Sequence, residues 1–275
     1  MIRMLRALPI VALLALASFG AAGPSTASAT TACPPSPTPG SSVHGNLEVP
    51  FGSICVLDHV TVDGSVTVDS FGELYLQNGA VVSGGISAGP ASTVQIAFGS
   101  SVGGGVTMDS ARIVTIASST LSHGLSGKTT NLSILSSTVT GGISVDIRGE
   151  FDLCDSKVHG SVQKSGFGRT QIGDPPPDGE VVPVAAWNNV QVQYYTCGGN
   201  TITGSLTVQQ GPVSIEANKI SGQGAALTVT DANLELSGNT VSGSATCTGD
   251  TYTAPSDGDT LGNSTYGGTN NGCPP

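Results

Sequence analysis

An apolar residue followed two positions later by glycine recurs along most of the chain, and no other feature limits the fold so severely. It occurs at Val43/Gly45, Val62/Gly64, Val82/Gly84, Val102/Gly104, Val139/Gly141, Val158/Gly160, Ile202/Gly204, Ile220/Gly222 and Val241/Gly243, and Leu121 with His123 continues the series. Successive starts lie 19, 20, 20, 19, 18, 19, 44, 18 and 21 residues apart. A near-constant period of this length marks a stacked architecture, in which each unit buries an apolar face that it could not bury alone.

Eight of the ten copies carry a second apolar pair 11 to 14 residues after the start: Ile54/Val56, Leu74/Leu76, Val94/Ile96, Val114/Ile116, Leu132/Ile134, Phe151/Leu153, Val213/Ile215 and Leu234/Leu236. The pairs alternate with polar residues, as strands with one buried face require. Between them stand Asn78-Gly79, Gly99-Ser100, Ser118-Ser119, Ser136-Ser137, Asn218 and Gly238-Asn239. Asparagine and glycine suit corners because they tolerate left-handed backbone angles. No 3.6-residue or heptad apolar period is sustained, so helices are not expected. A β-sandwich also has many short strands, but it does not impose a fixed apolar-x-glycine phase.

The expected fold is therefore all-β: a single parallel β-solenoid of about nine to ten turns of ~19 residues over 43–247. A left-handed coil built on a strict hexapeptide repeat would hold the step constant. The steps vary, which favours a right-handed coil with unequal faces. Together with the motifs Gly199-Asn200-Thr201-Ile202-Thr203-Gly204 and Gly238-Asn239-Thr240-Val241-Ser242-Gly243, the pattern resembles the right-handed parallel β-helix repeat proteins, particularly secreted bacterial members. The resemblance covers about residues 43–247 and speaks to fold far more than to function.

The 44-residue step from Val158 to Ile202 is either two degenerate turns or one turn with an excursion. Cys154 and Cys197 occupy equivalent places before a repeat start. One intervening turn would stack them about 4.8 Å apart, within disulfide reach, and two turns would put them about 9.6 Å apart, beyond it. A Cys154–Cys197 bond is thus expected, with an excursion over 174–196. Proximity then pairs Cys33 with Cys55, tying a Pro-rich linker (30–42) to the first turn. It also pairs Cys247 with Cys273, folding the Gly/Asn-rich tail (248–275) over the last. Solenoid ends expose unpaired edges and need such covers.

Arg3 and Arg6 precede an apolar stretch at 7–17 and then small residues to Ala29, the order of a secretory signal peptide; cleavage after Ala22 or after Ala29 fits. The apolar run is too short to span a bilayer. Secretion agrees with six cysteines forming three disulfides. Cleavage would leave seven basic residues against nineteen acids, a net charge of −12. That balance disfavours nucleic acid and anionic lipid as partners.

Register allows columns of equivalent residues to be searched for chemistry. The seventh residue after each start aligns Asp109, Lys128 and Asp146, an acid-base-acid ladder read as charge pairing at a corner. Glu150, Asp152 and Asp155, with Arg148 among them, are the catalytic candidates, because paired carboxylates on one strand face suit glycoside hydrolysis. The β-helix pectinases carry a Gly-His-Gly segment and an Arg-x-Lys pair; this chain has only Ser122-His123-Gly124 and no Arg-x-Lys. The histidines do not converge, and neither Cys-x-x-Cys nor His-Glu-x-x-His spacing occurs. Neither a metal nor a cofactor is expected. Outward residues around the repeat starts include Thr120/Ser122, Thr138/Thr140, Thr201/Thr203 and Thr240/Ser242, similar to the ladders of ice-binding solenoids. Val81, Lys157, His159 and Lys219 interrupt that array. Trp187, Tyr194 and Tyr195, in the excursion, are the candidate ligand-contacting aromatics. The leading expectation is a secreted, non-catalytic solenoid with a structural, surface or ligand-binding role, toward extracellular polysaccharide or cell-wall material. A β-helix polysaccharide lyase or hydrolase is the alternative, and ice binding a minor one.

Overall fold

Alternation decides which residues face inward. In the second turn, Val66–Val68 buries both valines and exposes Thr67, and Glu73–Gln77 buries Leu74 and Leu76 while Glu73 and Tyr75 point out. With the two-residue strand Thr61–Val62, these give each turn three sides. We call them the short-strand face, the middle face and the third face. The computed structural model describes residues 30–173, 182–185, 192–195, 197–252 and 264–274. Residues 1–29, read from the sequence as a signal peptide, Trp187 and the Pro-rich run at 174–178 lie outside the described residues.

The strands stack in parallel as a β-solenoid, with no helix among the described residues. The short-strand face forms an eleven-stranded sheet, one strand per turn. Eleven turns exceed the nine to ten expected because Thr265–Tyr266, in the segment read as a tail, pairs with Thr240–Val241. At the other end Thr30–Ala32, ahead of the first repeat start, pairs with Asn46, Leu47 and Glu48. The middle and third faces join into one eighteen-stranded sheet. They join because strands such as Val106–Ala117 and Leu206–Glu216 run through the corner between them.

The core is a column of Val, Leu and Ile through the coil, with Phe151 among its largest fully buried side chains. The apolar-x-glycine phase has a steric cause. A Cβ on Gly104 would lie 2.6 Å from Gly85 N, and one on Gly222 would lie 2.8 Å from Gly204 O. Adjacent turns pack backbone to backbone at this corner, leaving no room for a side chain.

Val158 pairs directly with Ile202, so the long step is a single turn. Its excursion contains an antiparallel pair, Val182–Ala185 with Val192–Tyr195. The disulfides are Cys33–Cys55, Cys154–Cys197 and Cys247–Cys273. The second has Cα atoms 4.9 Å apart, one strand spacing.

Asn78, at φ 55°, and Gly79, at φ 77°, take the expected left-handed angles, whereas Asn218 and Asn239 do not. Left-handed angles fall one residue earlier, at Ser118, Ser136, Asp155, Ala217 and Gly238. The next position instead points inward as a buried ladder of Ser100, Ser119, Ser137, Ser156, Asn200, Asn218, Asn239 and Ser264. Asn200 Nδ2 donates to Leu153 O at 2.7 Å and to Asn218 Oδ1 at 2.9 Å. Asn239 Nδ2 donates to Ile215 O at 2.7 Å and Ser237 O at 2.9 Å. Side-chain amides therefore satisfy corner peptide groups that the parallel ladder leaves over.

Candidate functional site

Glu150 and Asp152 lie on the strand Glu150–Cys154 of the third face, on its outward side, with Phe151 and Leu153 buried between and beyond them. Glu150 Oε1 is 3.4 Å from Arg169 Nη1 in the next turn. Asp152 accepts a hydrogen bond of 3.0 Å from Ser133 Oγ in the previous one. Asp155 sits past the strand end, at φ 46°, and accepts from Ser136 Oγ at 3.1 Å. Arg148 is exposed at the opposite corner. The structure thus places two of the three acids side by side and turns the third around a corner. Each of the three meets a donor from a neighbouring turn. A small groove of about 210 Å³ lies beside them, over Arg169, Gln171, Ser214 and Glu235, and none of the predicted acids lines it. Tyr194 and Tyr195 belong to the antiparallel pair of the excursion.

The expected charge ladder does not form. A register shift between Met108 and Ala111 sets Asp109 and Ser110 together against Lys128. Lys128 and Asp146 are in register, yet neither makes an ion pair among the described residues. Both instead line a groove of about 510 Å³ on the middle face. Four consecutive turns build it. Ser126, Ser144, Gln163 and Thr207 stack in one column, and Lys128, Asp146, Ser165 and Gln209 stand in or beside the next. Six of the lining residues carry a hydroxyl or an amide; Gly127 and Val145 stand among them, and Asp146 faces Lys128 and the buried Lys164.

Lys164 closes the groove from within, and the sequence pattern had not singled it out. It occupies a core column between Val145 and Val208 and is only 1% exposed. Its Nζ donates to Gly166 O at 2.6 Å, Gly168 O at 2.8 Å and Gln210 O at 3.0 Å. Burial pushes the amine down to about 8, against the opposing pull of the Asp146 carboxylate. With three protons on three carbonyls, the ammonium braces the corner rather than the ligand space. A lysine at the apolar phase of Val162–Ser165 was the available sequence signal.

The corner between the middle and third faces also carries the most exposed large apolar side chains among the described residues. Phe51 is 69% exposed, Phe71 59% and Phe167 76%. The Phe51 and Phe71 rings lie 5.5 Å apart in edge-to-face geometry. The threonine array of the short-strand face is broken by Lys157 and Lys219, both exposed. Among the described residues no three metal-ligating side chains come together, and His44 and His59 each lie 2.6 Å from a neighbouring aspartate.

Comparison with protein-family models, with curated proteins and with solved structures finds no match to this chain, whose parallel β-solenoid architecture is what the structure establishes.

Proposed function

We propose that the protein is an extracellular, non-catalytic solenoid that binds polysaccharide through the groove of its middle face. The observation that carries this reading is the lining of that groove. Four successive turns present Ser126, Ser144, Gln163 and Thr207 in line, with Gln209 beside them. Hydroxyl and amide groups at a regular spacing of about 4.8 Å are donors and acceptors for a polymer of sugar hydroxyls. Three disulfides and the N-terminal apolar segment support an extracellular setting.

The test is retention of the purified protein by a panel of soluble polysaccharides in affinity electrophoresis, with Gln163→Ala/Gln209→Ala as the control. Removing two side chains that each contribute about 1 kcal/mol of hydrogen bonding should weaken binding at least about tenfold. The circular dichroism spectrum should stay unchanged. Failure of every polysaccharide to retain the protein would overturn the reading. So would release of reducing or unsaturated products that Asp152→Asn abolishes, since that result would make the protein an enzyme.

A further inference from the structure

Among the described residues Phe167 is the most exposed of the large apolar side chains, and it is not on a loose loop. The carbonyls of Gly166 and Gly168, its two chain neighbours, both accept hydrogen bonds from the buried Lys164 ammonium. A buried charge is expensive to maintain, and here it fixes the backbone that holds an aromatic ring in water. Phe51 and Phe71 stand on the same corner of the coil, in the first two turns, with Phe167 in the seventh. By contrast, Phe151 is fully buried and Phe98 packs against a buried cluster. Among the described phenylalanines, strong exposure is therefore a property of that corner.

Beside this corner runs the outward column of the middle face. Between Phe71 and Phe167 it reads Thr67, Ser87, Thr107, Ser126, Ser144 and Gln163, one residue per turn. Phe71 and Phe167 are five turns apart, about 24 Å at the strand spacing. An aromatic rim alongside a hydroxyl column, both parallel to the coil axis, offers two chemistries at once. Ring faces stack on the C–H faces of pyranoses, and the column meets their hydroxyls. Charge narrows the polymer further. The chain is acidic overall, at −10, and on this edge Asp69, Asp109 and Asp146 outnumber the exposed cations Lys128 and Arg148. A polyuronate or other polyanion would be repelled.

We infer that an uncharged polysaccharide lies parallel to the solenoid axis along the middle face, running from the Phe51–Phe71 pair, through the groove, to Phe167. This rests on the groove's being a polysaccharide site and adds the length, direction and charge of the ligand. The Phe rings contribute stacking at the two ends, and the groove contributes hydrogen bonding toward the Phe167 end.

The experiment is isothermal titration of the full chain with neutral β-1,4-linked gluco- and xylo-oligosaccharides of roughly two to eight units, chosen to bracket the 24 Å span. Oligogalacturonates of the same lengths serve as the charged comparison. Affinity for a neutral series should climb with length and level off once the ligand reaches both ends. The oligogalacturonates should bind at least about tenfold more weakly. Phe167→Ala and Phe51→Ala/Phe71→Ala should each flatten the upper part of that curve by about tenfold while leaving the shortest groove-bound ligands within about twofold. All three side chains are exposed, so these variants should keep the wild-type melting temperature. The inference fails if the Phe variants keep the full length dependence while Gln163→Ala/Gln209→Ala still loses binding; the groove reading then survives alone. It fails equally if oligogalacturonates bind best, or if the Phe variants change only the sedimentation coefficient, which would make the corner an interface between copies. If no oligosaccharide or polysaccharide binds the wild-type chain, the groove reading falls and this one with it.

Discussion

Asn200 and Asn218, one turn apart, share a hydrogen bond of 2.9 Å from Nδ2 to Oδ1 in a corner where each residue is 1% exposed. Asn218 also accepts from the Asn200 backbone N–H and donates to Ile172 O and Glu216 O. Replacing it with leucine strands a buried N–H and two carbonyls at once. Asn218→Leu should cost about 2–4 kcal/mol, read as a lower urea midpoint at unchanged slope. A loss below about 0.5 kcal/mol would mean that the ladder is decoration.

The Cys154–Cys197 bond closes 43 residues of chain. Chain entropy gives such a cross-link about 4 kcal/mol. Cys154→Ser/Cys197→Ser should lose stability of that order in chemical denaturation, while the far-ultraviolet spectrum keeps its β character, because Val158 and Ile202 pair without help from sulfur.

Thr170 stands in the core column between Phe151 and Val213, and its Oγ1 is buried with no hydrogen-bond partner among the described residues. A buried hydroxyl without a partner is a cost that a methyl group of the same shape removes. Thr170→Val should therefore stabilise the fold by about 1 kcal/mol, visible as a higher melting temperature. No change, or a decrease, would show that the hydroxyl is satisfied in solution.

Lys164 links stability to pH. Its amine titrates near 8 in the folded chain because of burial, with Asp146 opposing, against 10.5 for the free side chain. Between those values the unfolded chain binds more protons, so this group makes stability rise with pH across that window. Below about pH 8 the ammonium is charged in both states and the cost of burying it is fully present. In denaturation at pH 7 and pH 10, the wild type should gain relative to Lys164→Met as pH rises. A constant difference between the two proteins would refute the depressed value.

The repeat was legible because its cause is steric and acts once per turn. Glycine at positions such as 104 and 222 is enforced by the backbone of the turn below, so the phase survives in the sequence. The cysteine pair was legible for the same reason, since register converts sequence spacing into distance. Of the corner asparagines, Asn78 takes the left-handed angle its type suggests, and the later ones serve another purpose. Backbone tolerance was expected, whereas the structure uses Asn200, Asn218 and Asn239 as buried amides, a role set by neighbours across the coil. The groove and Lys164 were not legible. Gln163 and Gln209 become neighbours only through stacking across the 44-residue step, and Lys164 reads as a break in an apolar pattern until its three carbonyl partners are in place. The acids at 150, 152 and 155 stood out because they are close in sequence, yet their partners lie in other turns.

The pairing of Val158 with Ile202 also means that the coil closes without regard to what intervenes. Lengthening an inserted segment adds only about 0.6 kcal/mol of closure entropy per doubling. The seventh turn is thus a natural docking port for new sequence. A lineage, or an engineer, could exchange the hairpin between Gly173 and Cys197 for another module and leave the other ten turns undisturbed.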